Sequence, residues 1–251
     1  MKQIKLMLVL VLLLGLSACN NWWSKDDDHN PFEGMSAKQL YTEAKKEMAK
    51  KQYSGAIKRL EALETMYPFN DYAEKAEIDL IYAYYKKGEY PSAAATSDQF
   101  IHLYPRSTRV EYAYYMKALS DFQQTRGTMA NLLPIDESWR DPGTQSQAYS
   151  DFATLVQKFP DGRYKANALQ RMIYLRNVFA KRELNTSNYY YERKMYVAAA
   201  ERANYLITTY PQAPSAKPAL AIVYRANLMM GLRKAAEDAL TVYEATYHTH
   251  P

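Results

Sequence analysis

Four aromatic–proline pairs, Tyr67-Pro68, Tyr104-Pro105, Phe159-Pro160 and Tyr210-Pro211, punctuate the chain, and each lies between alanines at fixed distances. Eight residues after the prolines stand Ala76, Ala113, Ala168 and Ala219; twelve residues before them stand Ala56, Ala93, Ala148 and Ala199. His250-Pro251 is a looser last member of the series. Proline cannot continue the hydrogen bonds of a helix, so it marks a place where one must stop. A small residue at a constant offset is what two packed helices need where their backbones approach closely. The pattern predicts an all-α repeat protein built from helical hairpins.

Reading outward from these marks gives five units, at about 36–68, 72–105, 109–160, 164–211 and 215–251. In the first, Ser36 is placed to cap a helix running to about Lys51, and Ala56, Ile57, Leu60, Leu63 and Met66 line one face of the next. The second unit is the most regular. Ile78, Ile81, Tyr82 and Tyr85 form one stripe of its first helix, and Ala76, Leu80, Ala83 and Tyr84 form another. A helix apolar on two sides is sandwiched, as inner helices of a solenoid are. Gly88-Glu89-Tyr90 then turns the chain, and Gly88-x-Tyr90-x-x-Ala93 resembles the tetratricopeptide turn.

The third and fourth units are longer. The proline spacing is 37 between the first two pairs, then 55 and 51. In the third unit the excess is an insertion, 127–144, whose two prolines and two glycines break helical periodicity, with the second helix resuming around Gln145. Its Trp139 is either a contact for a partner or a plug pinning the loop. In the fourth unit the helices themselves read as extended, with a turn and cap at Asn185-Thr186-Ser187. Beyond it, Tyr189, Tyr190, Tyr191, Arg193, Tyr196 and Arg202 give a projecting end with the composition of an interface, or tyrosines that cover their own hairpin.

The amino terminus has a separate logic. Met1–Lys5 is positively charged and Leu6–Leu14 is an almost unbroken apolar run, the features of a secretory signal too short to span a bilayer stably. It ends in Leu16-Ser17-Ala18-Cys19, which resembles the lipobox of bacterial lipoproteins, with Cys19 as the residue that receives lipid. Cys19 is the only cysteine, so no internal disulfide competes for it. Residues 19–35 read as a polar tether with an acidic run at Asp26–Asp28, and Trp22 and Trp23 suit the headgroup region. The residue after Cys19 is Asn20; by analogy with enteric lipoproteins, the lack of Asp there points to the outer rather than the inner membrane.

Composition limits the function. The net charge is +5 and falls to +3 once 1–18 is removed, too mild to argue for nucleic acid. The four histidines lack a spacing that makes a metal set, there is no phosphate-binding glycine loop and no G-x-S-x-G, and the one thiol is committed to lipid. No enzyme, metal or cofactor is expected beyond the covalent lipid. Twenty-four tyrosines are the unusual feature, fitting helix seams, a peptide-binding groove, or both.

Arg59-Leu60-Glu61-Ala62-Leu63, Tyr67-Pro68-Phe69, Asp79–Lys86, Arg140-Asp141-Pro142, Ser150-Asp151-Phe152, Tyr190-Tyr191-Glu192-Arg193 and Tyr196-Val197-Ala198 together resemble the BamD (YfiO/ComL) family of outer-membrane assembly lipoproteins, from about residue 36 to 211. The resemblance implies a non-enzymatic subunit of the β-barrel assembly machine, lipid-anchored on the periplasmic face of the outer membrane. It implies C-terminal repeats that hold the periplasmic POTRA region of BamA, for which Arg193, Arg202 and Tyr190 are the candidates. It implies N-terminal repeats that meet unfolded outer-membrane proteins, with Tyr67, Phe69, Tyr72, Tyr82 and Tyr85 as candidates, Phe69 and Tyr82 being equally readable as seam residues. Other Bam lipoproteins are the remaining implied partners. The rival reading is a repeat lipoprotein that serves as an adaptor for cell-wall machinery.

Overall fold

The computed structural model describes residues 31–126, 136–139 and 142–251. The signal segment 1–18, Cys19, most of the tether 19–35 and the greater part of the insertion lie outside the described residues. Two compact units are present, Met1–Ser36 and Ala37–Pro251. Of the first, the described part is a turn over 31–34, in which Gly34 has φ 81° and the Met35 N–H donates to the Phe32 carbonyl at 3.1 Å.

The second unit has ten α-helices among the described residues: α1 Ala37–Ala49, α2 Tyr53–Met66, α3 Ala73–Lys87, α4 Tyr90–Leu103, α5 Val110–Arg126, α6 Pro142–Lys158, α7 Lys165–Glu192, α8 Tyr196–Thr209, α9 Ala216–Met229 and α10 Arg233–Tyr247. A short 3-10 turn, Glu137–Trp139, precedes α6. Each helix packs on the next, and α3 also meets α5 as α7 meets α9. First helices of successive hairpins therefore touch one another, which makes the unit an all-α array of five hairpins. Among the described residues no helix is long and apolar enough to cross a membrane.

The proline register explains the array. All eight alanines at the two fixed offsets are fully buried. So are Leu63, Phe100, Leu155 and Leu206, each five residues before its proline. Tyr67, Tyr104, Phe159 and Tyr210 each donate their backbone N–H to the carbonyl of that residue at 2.8–2.9 Å, ending their helices in the same way. Tyr67, Tyr104 and Tyr210 have left helical ψ for 54–55°, out of the helical region that a following proline disfavours. The buried clusters run along the seams: Ile81, Phe100, Ala113, Met116 and Leu119 in one, Phe122, Ala148, Phe152, Leu155 and Leu175 in the next, and Leu206, Ala219, Ile222 and Tyr243 in the last. All of these lie within Ala37–Pro251.

The turn between the two helices of a hairpin is also repeated. Lys51, Gly88, Lys194 and Gly231, each five residues before a buried alanine, have φ of 61°, 86°, 61° and 73°. The next N–H reaches back across the turn each time, Gln52 to Glu47, Glu89 to Tyr84, Met195 to Tyr190 and Leu232 to Asn227, at 2.9–3.0 Å. This left-handed residue with a long return bond is a Schellman ending.

Two expectations fail. The fourth unit has no turn at Asn185-Thr186-Ser187; α7 runs unbroken through it for 28 residues, and the hairpin turns at Arg193–Met195. The three side chains that suggested a cap are engaged elsewhere. Asn185 Nδ2 donates to Ser138 Oγ at 2.8 Å, Thr186 Oγ1 to the Arg182 carbonyl at 3.0 Å, and Ser187 Oγ to the Ala199 carbonyl at 2.8 Å. The reading of Trp139 as a plug also fails, since its ring stays 71% exposed. A polar clasp holds that segment instead. Arg182 Nε donates to the Ser138 carbonyl at 3.0 Å, Gln145 Nε2 to the Glu137 carbonyl at 3.3 Å and Tyr174 to Glu137 Oε2 at 2.7 Å, while Lys181 pairs with Asp136 at 2.8 Å. The second helix of this unit starts at Pro142, where a missing N–H costs nothing.

Candidate functional site: tyrosine-lined binding surfaces

The five N-terminal candidates do not converge on one pocket. Tyr67 ends α2 and is half-buried, whereas Phe69, two residues on, is fully exposed in the link to α3. Tyr72 opens α3; its ring lies 5.2 Å from Tyr41, and its N–H is fixed by Asn70 Oδ1 at 2.6 Å. Tyr82 lies ten residues further, about 15 Å along the helix. It meets Tyr53 edge-on at 6.3 Å and carries the Lys86 ammonium at 5.6 Å. Tyr85 packs against the Ile81–Phe100 core, lies 5.5 Å from Tyr90 and accepts from Gln123 Nε2 at 3.1 Å. Tyr85 is thus a seam residue. Phe69, Tyr72 and Tyr82 leave apolar ring surface along an extended path, the geometry of strand or loop recognition rather than a small-molecule pocket.

The seam under that path is held by charge. Asp79 of α3 accepts from the Tyr41 hydroxyl and from the Lys45 ammonium, both at 2.9 Å, joining the first hairpin to the second. Burial first, then the bond to Asp79, pushes the Tyr41 phenol up to about 12.

A cleft of about 380 Å³ opens where the links before α5 and α7 meet α3, lined by Ile78, Arg109, Glu111, Tyr112, Arg163 and Tyr164 with Thr108. Tyr115 and Tyr164 stack at 4.4 Å with 12° between their rings, and Tyr112 adds a third ring 6.0 Å from Tyr164. Burial, with Tyr164, Tyr82 and Asp79 nearby, raises the Tyr112 phenol well above its ordinary range, so it is a neutral hydrogen-bonding group. The Glu111 carboxylate accepts the Tyr164 N–H at 3.1 Å and is committed to the start of α7. Arg163 lies 5.8 Å over the Tyr164 ring. Among the described residues no carboxylate lies in ion-pair range of Arg109 or Arg163. Two guanidinium groups beside three aromatic rings can take a carboxylate together with an apolar or aromatic side chain.

The sequence did carry a signal for this cleft. Tyr72, Arg109, Tyr164 and Ser215 all stand four residues after a repeat proline, and each carbonyl accepts the N–H of the buried alanine four residues on, at 2.7–3.2 Å. Tyr72, Arg109 and Tyr164 are therefore successive rungs of one ladder.

At the other end, a hollow of about 290 Å³ is lined by Tyr190, Ala198, Glu201, Arg202 and Tyr205. Arg202 of α8 reaches Glu183 of α7 at 3.0 Å while half its side chain stays in solvent. Tyr190 and Arg202 come together here. Arg193 does not join them: its guanidinium stacks 3.6 Å over the Tyr189 ring, beside the hollow.

Comparison with known proteins agrees over almost the whole chain. The family described as YfiO, outer membrane lipoprotein, matches residues 33–242. A protein of Xylella fastidiosa strain Temecula1 is 34% identical over 98% of this chain and 83% of its own, and one of Neisseria meningitidis strain Z2491 is 34% identical over 98% and 92%. One of Vibrio cholerae is 37% identical over 79% of this chain and 83% of its own. All three carry the name outer membrane protein assembly factor BamD. A tetratricopeptide repeat protein of Parabacteroides merdae is a distant structural neighbour, at 14% identity and TM-score 0.38 over 87% of this chain and 82% of that one. The chain belongs to the BamD (YfiO) family of outer-membrane protein assembly lipoproteins.

Proposed function

We propose that the chain is a non-enzymatic subunit of the machinery that assembles outer-membrane β-barrel proteins. It is anchored by lipid on Cys19 to the periplasmic face of the outer membrane and works by holding other proteins. The observation that carries this reading is similarity to assembly factors along nearly the full chain, over an array whose exposed features are tyrosine-lined surfaces.

The two ends divide the work. The hollow at Tyr190 and Arg202 offers one exposed guanidinium among aromatic rings, with Glu183 fixing its position, which suits an acidic residue at the centre of a protein interface. This end receives the POTRA region of BamA. The N-terminal hairpins receive unfolded outer-membrane proteins along the Phe69–Tyr72–Tyr82 path and in the adjacent cleft. Arg109 and Arg163 there suit a chain-terminal carboxylate, and Tyr112 and Tyr164 suit an aromatic side chain next to it. Other Bam lipoproteins complete the expected partners.

Affinity capture on the tagged, lipidated full chain tests this. Recovery of BamA from detergent-extracted membranes is the expected result. Recovery of peptidoglycan enzymes without BamA would replace it with an adaptor role in the cell wall.

A further inference from the structure

The four left-handed hairpin turns share more than a backbone. Each carries two adjacent basic residues: Lys50-Lys51, Lys86-Lys87, Arg193-Lys194 and Arg233-Lys234. Because the two helices of each of these four hairpins pack on one another through a short reversal, the turns lie along one edge of the array and the proline links along the other. Residues 49–53, 86–90, 192–196 and 229–234 hold eight basic and two acidic side chains. The links 67–73, 104–110, 159–165 and 210–216 hold four and two.

Helix-dipole compensation does not account for the asymmetry. It would favour cations at every helix C-terminus. Yet of the helices that end at the link edge α2 and α8 carry none in their last turn, α4 only His102 and α6 only Lys158, and Arg233 and Lys234 occupy the first turn of α10, where the dipole disfavours them. The charges are only partly spent internally: Lys86 lies 5.6 Å over the Tyr82 ring and Arg193 3.6 Å over the Tyr189 ring. Among the described residues Lys50, Lys51, Lys194 and Arg233 have no carboxylate in ion-pair range, while Lys87–Glu89 at 2.8 Å and Lys234–Asp238 at 3.1 Å are solvent-facing pairs. Apolar side chains accompany the last two turns: Met195, Val197, Met229 and Leu232 are each at least half exposed.

A row of paired cations with apolar side chains between them has the chemistry of a face that rests at the boundary of anionic headgroups and acyl chains. Chain length favours the same occupant. Between Cys19 and Ala37 the chain can span at most about 60 Å, so an acylated Cys19 holds the array within that distance of a bilayer.

We infer that the hairpin-turn edge, through Lys50, Lys51, Lys86, Lys87, Arg193, Lys194, Arg233 and Lys234, docks on the anionic phospholipid surface to which the chain is tethered. This rests on the reading of the chain as a membrane-anchored lipoprotein. It sets which edge of the array faces the membrane, leaves the Arg109–Arg163 cleft at the opposite edge for partners, and places the Tyr190–Arg202 hollow close to the membrane side.

The test uses residues 20–251 without the acyl group, which retain every buried cluster of the array, and sedimentation with vesicles. Vesicles of phosphatidylethanolamine and phosphatidylglycerol in a three-to-one ratio are compared with pure phosphatidylcholine. The expected result is binding to the anionic vesicles that falls with added salt. Lys50→Glu with Arg233→Glu, which leaves the left-handed residues untouched, should lower the partition coefficient at least roughly ten-fold, each charge near such a surface contributing roughly five-fold. Lys58→Glu with Lys75→Glu, the same change in net charge elsewhere, should lower it less than roughly two-fold. Thermal unfolding of both variants checks that they fold. Binding no better to anionic than to neutral vesicles, or equal losses in the two double variants, would overturn the inference. Mass analysis of Cys19 in the full chain reports acylation separately, so failure of the anchor and failure of the edge are told apart.

Discussion

Lys51 and Lys194 hold the same backbone conformation, φ 61° in each, at the same place in two different hairpins, where the second and fifth hairpins have glycine. A side chain in the left-handed region is crowded against its own carbonyl by about 1 kcal/mol or more. Lys51→Gly and Lys194→Gly should therefore each stabilise the array, by up to about 1 kcal/mol in urea unfolding. Gly88→Ala should destabilise it by a similar amount. The Gly88 site is otherwise open, so its cost is the backbone alone.

The buried alanines set the spacing of the hairpins. Ala113→Leu or Ala168→Leu inserts three carbons where no space exists, and should cost at least about 1–3 kcal/mol. Ala95 lies on the same kind of helix but faces solvent, and Ala95→Leu should change stability by less than about 0.5 kcal/mol. Denaturant midpoints of the three variants decide this.

That repeat was legible because an aromatic–proline pair ends a helix through its own backbone, and a small residue recurs where two helix backbones meet. The longer units were harder to read. Asn185, Thr186 and Ser187 favour caps, yet their partners Ser138 and Ala199 lie on other elements, and tertiary bonds turned a predicted break into the middle of α7. Trp139 looked like a plug by its size, while the work is done by Arg182 and Gln145, ordinary polar residues in sequence. Arg109 and Arg163 form a cleft because two links meet, a distance that no linear spacing displays. Reading the position four residues after each proline as one ladder would have brought Arg109 and Tyr164 beside Tyr72.

Glu77 is almost wholly buried on α3, and one of its oxygens meets no donor, as is true of Glu64 on α2. Burial, then the neighbouring carboxylate charge, raises both to about 7. A folded-state value above the unfolded one means the native state holds its proton more tightly. The stability these two groups contribute is therefore fully present below about pH 4.5 and is lost as pH rises through about 7. Glu77→Gln removes that loss. It should raise stability at pH 8 by about 1 kcal/mol or more and leave it nearly unchanged at pH 4, as read from denaturation at the two pH values.

Arg202 is half exposed and reaches Glu183, with Glu201 lining the same hollow. Arg202→Glu would set like charges together and present the wrong sign to an acidic partner. It should weaken capture of the BamA periplasmic region at least roughly ten-fold, whereas Lys58→Glu should leave it within roughly two-fold. Titration calorimetry with that region measures both. Equal effects would remove Arg202 from the interface.

If this array serves the assembly of outer-membrane barrels, barrel folding in the cell must depend on it. The direct measurement is the fraction of a newly made barrel protein that reaches its heat-modifiable, folded form in cells depleted of this chain. The expected result is that the folded fraction falls, that unfolded precursor accumulates in the periplasm, and that the wild-type chain restores folding. Normal barrel folding on depletion, with a defect confined to the cell wall, would contradict it.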